Sequence, residues 1–118
     1  MFNKSLNHVT LLGRIGHDPD LRKTKNGNSM CTAKLATTNS YKNRHGEWFE
    51  ETEWHSLVFW NKLADIAGQY LKKGSFVFVE GRLKTNIDEK EDIKRYFTDV
   101  QVKTLLMLDN KHTEYPDE

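Results

Sequence analysis

The sequence predicts an all-β domain, a small five-stranded barrel carrying one helix, and three observations point there. Short β-rich apolar segments recur along the chain, separated by turns built on Gly, Pro and Asn. Only the segment after Trp60 repeats its apolar residues at helical spacing. The 118 residues suffice for one hydrophobic core and not for two, and with 36% apolar and 30% charged residues the chain reads as globular.

The elements follow in order. Val9 to Ile15 is apolar and β-rich, and Gly13 interrupts it where a bulge or sharp bend is expected. His17-Asp18-Pro19-Asp20 reads as a turn, because Pro19 fixes φ and Asp18 can bond the backbone beyond it. Asn26-Gly27-Asn28 is a tight-turn signal that leads into a second strand from about Met30 to Thr38. A polar loop from Asn39 to Gly46 then holds Tyr41, Lys42, Arg44 and His45, and a long third strand runs from Trp48 to Trp60. The helix is expected to start on Asn61 as N-cap, with Leu63, Ile66, Ala67, Tyr70 and Leu71 on one face. Lys72 and Lys73 are expected in its last turn, and Gly74 as its left-handed cap. Ser75 to Thr85 reads as a fourth strand bent at Gly81, Asn86 to Lys94 as a charged hairpin excursion, and Arg95 to Leu108 as the last strand. Three strands, a helix and two strands match the five-stranded Greek-key oligonucleotide-binding fold over residues 1–108, with 109–118 left as a short acidic, flexible tail.

Composition excludes several classes. No apolar run approaches the roughly 20 residues that span a bilayer, and residues 1–8 resemble neither a secretory signal nor a transit peptide, so a cytoplasmic address is expected. Cys31 is the lone cysteine, so neither an internal disulfide nor a multi-cysteine metal site is expected. The five histidines show no ligand spacing, and no metal or other cofactor is expected. Asp88, Glu89, Glu91 and Asp92 read as a solvated hairpin, while Glu51 and Glu53 share a strand face with His55 and are poorly placed as nuclease ligands. The chain is therefore not expected to be an enzyme. Residues 1–108 carry 17 Lys and Arg against 13 Asp and Glu, for +4, and the last ten residues carry −3. A weakly basic body with an acidic tail suits a polyanion binder.

The long third strand carries the functional reading. Side chains alternate with a period of two, so Trp54, Ser56, Val58 and Trp60 point one way and His55, Leu57 and Phe59 the other. Leu57 and Phe59 belong to the core. A small barrel has one interior, so Trp54 and Trp60 are expected outside it, where bases of an unpaired strand could stack. A neighbouring subunit or a long hairpin covering both rings is the alternative. Tyr41 and Trp48 are further stacking candidates, interleaved with Lys42 and Arg44 near the start of this strand. Candidate phosphate partners are Arg82, Lys84, Lys34, Lys62, Lys72, Lys73 and Arg44, with Arg82 and Lys84 favoured because Val77, Val79, Gly81 and Leu83 on the other parity look buried.

With these residues in hand, the chain resembles the bacterial single-stranded DNA-binding protein family from about Asn7 to Leu108. The resemblance is carried by Asn7-His8-Val9, Leu12-Gly13-Arg14-Ile15-Gly16, Asp18-Pro19-Asp20-Leu21-Arg22, Thr52-Glu53-Trp54-His55, the helix through Tyr70-Leu71-Lys72-Lys73-Gly74-Ser75, and Glu80-Gly81-Arg82-Leu83. It implies a homotetramer that wraps single-stranded DNA in replication, recombination and repair. It implies stacking at Trp54 and Trp60, and at Tyr41 after a one-residue gap, and it implies a subunit interface for His55, to which a satisfied barrel histidine is the alternative. Two departures stand out. Asn86-Ile87-Asp88 replaces a segment where the family often carries a tryptophan, which implies a weaker or shorter footprint unless Trp48 compensates. Glu114-Tyr115-Pro116-Asp117-Glu118 takes the place of the usual linker and Pro-Phe tip, which puts partner recruitment through that tip in doubt. A primosomal protein on the same fold, and a structural adaptor that binds protein through its aromatic face, are the competing readings.

Overall fold

Period-two alternation sorts the strands into an inside and an outside. The computed structural model describes residues 4–109. Among these, the elements are β1 (Val9–Ile15), β2 (Asp20–Lys23), β3 (Ser29–Lys42), β4 (Trp48–Trp60), α1 (Asn61–Tyr70), β5 (Phe76–Lys90) and β6 (Ile93–Met107). The strand order is β1-β5-β6-β4-β3, and β1 closes the circle onto β3 through Arg14↔Ala36 and Ile15↔Leu35. β2 is added at the edge of β3. β4 and β6 run parallel at Leu57↔Val100, and the other pairs are antiparallel. This is the expected five-stranded oligonucleotide-binding barrel, with α1 between its third and fourth strands.

The inward residues make one core. Ile15, Cys31, Leu35, Leu57, Phe59, Val77, Val79, Val100 and Val102 fill the barrel, and Ala64, Ala67 and Leu71 of the helical segment cover one end. Two glycines allow the closure. At Gly13, β1 passes from β5 towards β3, and a Cβ there would collide with the Ala36 carbonyl oxygen. Gly81 marks a register shift between β5 and β6, and a Cβ there would meet the Gln101 carbonyl oxygen. The shift leaves Lys103 as an extra residue, so that Val102 and Leu105 both turn towards the core.

Several local expectations are corrected. Asp20, expected to close a turn, and residues 21–23, for which no element is expected, form β2. Their sequence, Asp-Leu-Arg-Lys, has no apolar alternation, and the strand is specified by pairing with β3 instead. β3 extends to Lys42, so Tyr41 and Lys42 lie in a strand and not in the loop. β5 and β6 likewise run on to a two-residue turn at Glu91 and Asp92. Beyond the barrel both faces of a hairpin meet solvent, so its polar sequence carries no inward period to read. That geometry also leaves Leu83 half exposed instead of buried.

The helix differs at both ends. Asn61 does not cap it: Asn61 itself has φ 58°, Trp60 occupies the capping position, and no side-chain cap bond forms. α1 ends at Tyr70, because Leu71 leaves the helix extended and is buried in the core while its N–H still donates to the Ala67 carbonyl. Lys72 and Lys73 are therefore outside the last turn. Gly74 (φ 92°) serves a separate turn, in which the Ser75 N–H donates to the Lys72 carbonyl at 2.9 Å. Tyr70 is exposed, and Ala64 takes the buried place on the helix. Asp109, assigned to the tail, accepts a hydrogen bond from the Phe76 N–H at 3.1 Å. Residues 110–118 lie outside the described residues, and the expected acidic tail and its doubtful tip lie there.

Candidate nucleic-acid interface

The β3–β4 ladder sets the face. Its register places Met30, Thr32, Lys34 and Ala36 opposite Trp60, Val58, Ser56 and Trp54, all on the outward parity. Leu57 and Phe59, on the inward parity, have no exposed surface, whereas Trp54 is 57% and Trp60 39% exposed. Six residues of strand separate the two indoles by about 20 Å. Lys34 lies between them, its ammonium donating to the Ser56 hydroxyl at 2.6 Å.

Each indole is held on one side. The ring of Trp54 rests on Gly16, where an added Cβ would overlap the Cζ3 atom and come within 2.8 Å of Cη2. Gly16 is itself fixed to β3, because its N–H donates to the Lys34 carbonyl at 2.8 Å. Trp60 donates its indole N–H to the Gln101 side-chain oxygen at 2.7 Å, which ties it to β6. Fixed rings with open outer faces require little ordering when a flat ligand stacks on them.

β5 and β6 form the second wall. Their register sets Arg82 opposite Gln101, Lys84 opposite Asp99, Asn86 opposite Phe97 and Asp88 opposite Arg95. A groove of about 460 Å³ runs between the walls, lined by Lys34, Ser56, Val58, Trp60, Phe97 and Asp99 among others. Asn86 donates its amide to the Asp99 carboxylate at 2.7 Å. Arg82 borders a second hollow beside Trp60, together with Gln101 and Glu80. Asp88 has Arg95 directly across from it, which offsets the charge it would present to a phosphate.

Not every candidate joins this face. Tyr41 pairs in register with Phe49 and stacks on it at 5.7 Å, on the parity opposite to the three tryptophans. Trp48 shares the tryptophan parity, but it lies at the far end of the projecting hairpin with the Lys42 ammonium 5.6 Å from its ring. Arg44 is at the exposed hairpin turn, and Lys62 is exposed on α1, off the sheet face. The segment with Lys72 and Lys73 is fastened to the β1–β2 connection, where the Lys73 N–H donates to Asp18 at 2.9 Å. His55 is on the inward parity, half-buried, with its Nε2 2.9 Å from the Thr37 hydroxyl. Among the described residues, no three His, Cys, Asp or Glu side chains gather as metal ligands, and no helix is long and apolar enough to cross a membrane. Burial, and secondarily Asp20, push the Cys31 thiol up to about 11.

Sequence reading missed three residues that shape the face: Gly16, Gln101 and Phe97. Phe97 was legible, since Val100 and Val102 point inward and put Phe97, Asp99 and Gln101 on the other side. Gly16 and Gln101 were not, because their partners are 38 and 41 positions away in sequence.

Known proteins share this architecture. A solved structure described as "Plasmodium falciparum SSB complex with ssDNA" superposes with a TM-score of 0.83 at 32% identity, covering 92% of this chain and all of that one. A Neisseria meningitidis serogroup A protein named single-stranded DNA-binding protein is 41% identical over 109 residues, 92% of this chain. Single-stranded DNA-binding protein 1 of Chlorobaculum tepidum is 44% identical over 110 residues, 92% of this chain and 68% of that protein. The chain spans about 63% of the length of the Neisseria relative. Residues 6–108, the whole barrel with both walls of the groove, match the family described as "Single-strand binding protein family". On barrel topology, sequence and extent alike, the chain belongs to the single-strand binding protein family.

Proposed function

We propose that this chain binds and protects single-stranded DNA without sequence specificity in replication, recombination and repair, and that it catalyses no reaction. Bases stack on Trp54 and Trp60, and phosphates are held by Lys34, Arg82 and Lys84, with Lys62, Lys73 and Arg44 as outer contacts. One observation carries the reading: two indoles stand open on the outside of a closed barrel, one backed by Gly16 and one tied by its N–H to Gln101, with a lysine between them. Aromatic faces accept any base, which gives affinity without base preference. Tyr41 with Phe49 on one face of the projecting hairpin, and Trp48 with Lys42 on the other, offer further stacking positions.

The working unit is a homotetramer in the cytoplasm, associated with the nucleoid. Two rows of side chains, Leu12–Phe78–Leu106 and Arg14–Phe76–Leu108, cross β1, β5 and the end of β6 on the outward side. Leu12 and Leu106 are half exposed, and β1 pairs with β3 only at Arg14 and Ile15, so an apolar patch adjoins an open strand edge. Such a surface favours self-association. His55 is assigned to a second contact between subunits.

Titration with a long oligothymidine at low salt tests the function. Tryptophan fluorescence should fall on binding, and each phosphate contacted should contribute about −0.7 to the slope of log K against log salt. Arg82→Ala should lower that slope by a fraction of a unit and leave base preference alone. Unchanged fluorescence at low salt would favour the adaptor reading, and a dimeric mass by light scattering would favour a primosomal protein.

A further inference from the structure

We propose that Phe97 is a base-stacking platform, so that the bound strand continues from Trp60 along the groove and onto the β5–β6 hairpin. The inference rests on the single-stranded DNA reading and adds a contact to it. Phe97 is 50% exposed and lies on the outward side of β6 with Asp99 and Gln101. Every register neighbour on that side is polar: Asn86 directly opposite, Lys84 and Asp88 diagonal to it, Arg95 and Asp99 along its own strand. None of these β5 and β6 neighbours is apolar, and half of the residue stays open to solvent, so hairpin pairing does not account for a phenyl group at this position.

The surroundings fit a stacked nucleotide. Asn86 is committed to Asp99, which occupies the carboxylate nearest the ring along the strand. Lys84 and Arg95 flank Phe97 on two sides, placed for the phosphates on either side of a base. Phe97 lines the same groove as Lys34 and Trp60. Gln101, which holds the Trp60 indole, lies four residues further along β6, or about 13 Å. The groove therefore has an aromatic at each end and a lysine on its wall.

The test compares the native chain with Phe97→Thr, Phe97→Leu and Phe97→Tyr. The ligands are labelled oligothymidine and an abasic deoxyribose-phosphate strand of equal length. Phe97→Thr and Phe97→Leu should both weaken oligothymidine binding by about 5- to 150-fold, and Phe97→Tyr should stay near native affinity. The salt slope should not change, since no cation is removed. On the abasic strand all four proteins should bind alike. Phe97→Leu keeps the apolar bulk and guards against a Phe97→Thr chain that fails to fold. Native affinity in Phe97→Leu, an equal loss on the abasic strand, or a lowered assembly mass that accounts for the loss overturns the proposal. Trp54→Ala is the control. If it weakens binding while Phe97→Leu does not, only the Phe97 assignment falls; if the native chain ignores oligothymidine, the DNA reading itself falls.

Discussion

Gly16→Ala probes how Trp54 is positioned without touching the tryptophan. Carbon atoms in contact settle at about 3.5–4.0 Å, whereas the new methyl would overlap Cζ3 and lie 2.8 Å from Cη2, so the indole must retreat by about 1–2 Å. The ring is 57% exposed and can pivot towards solvent, so the loss of fold stability should stay below about 1 kcal/mol. Binding should suffer more. Base–aromatic stacking is worth roughly 1–3 kcal/mol per base in proteins of this class. A displaced ring forfeits some part of that, and Trp54→Ala forfeits all of it. Fluorescence anisotropy of labelled oligothymidine for native, Gly16→Ala, Trp54→Ala and the double variant gives the cycle. The double variant should bind no worse than Trp54→Ala alone. If Gly16→Ala costs as much in the Trp54→Ala background as in the native one, the glycine acts elsewhere and the resting contact does not position the ring.

Trp60 gives a parallel case. Trp60→Ala should weaken oligothymidine binding by roughly 1–3 kcal/mol, and Gln101→Leu, which removes only the bond to the indole, by about 0.5–1.5 kcal/mol; equal losses would mean that Gln101 contacts DNA itself. Glu91 and Asp92 hold left-handed φ values of 52° and 65° in the β5–β6 turn, so replacing them with Asn-Gly should stabilise the hairpin by about 1 kcal/mol. Amide hydrogen exchange in the hairpin reads this, and unchanged protection counts against it. The Cys31 thiol ionises at about 11 when folded against 9.0 ordinarily, so its neutral form supports the fold below about pH 9 and that support is lost as pH rises through 11. Urea midpoints between pH 8 and pH 11 should fall more steeply for the native chain than for Cys31→Ala, and parallel curves refute the assignment.

What could be read from the sequence alone was whatever has a local period. Alternation along β4 fixes which side of the strand Trp54 and Trp60 take, because Leu57 and Phe59 can only go inside. Helical spacing and the β-rich runs give the element order, and hence the barrel. The tertiary structure decided what depends on distant partners. β2 exists because β3 offers it an edge, and α1 ends early because the core takes Leu71. Tyr41 falls on the other parity because the ladder continues through a segment with no apolar pattern. Gly16 beneath one indole, Gln101 beside the other and Phe97 at the end of the groove are brought together only when the barrel closes. Side-chain alternation is a property of neighbouring residues, whereas the support and the path of a binding face belong to strands that meet only in three dimensions.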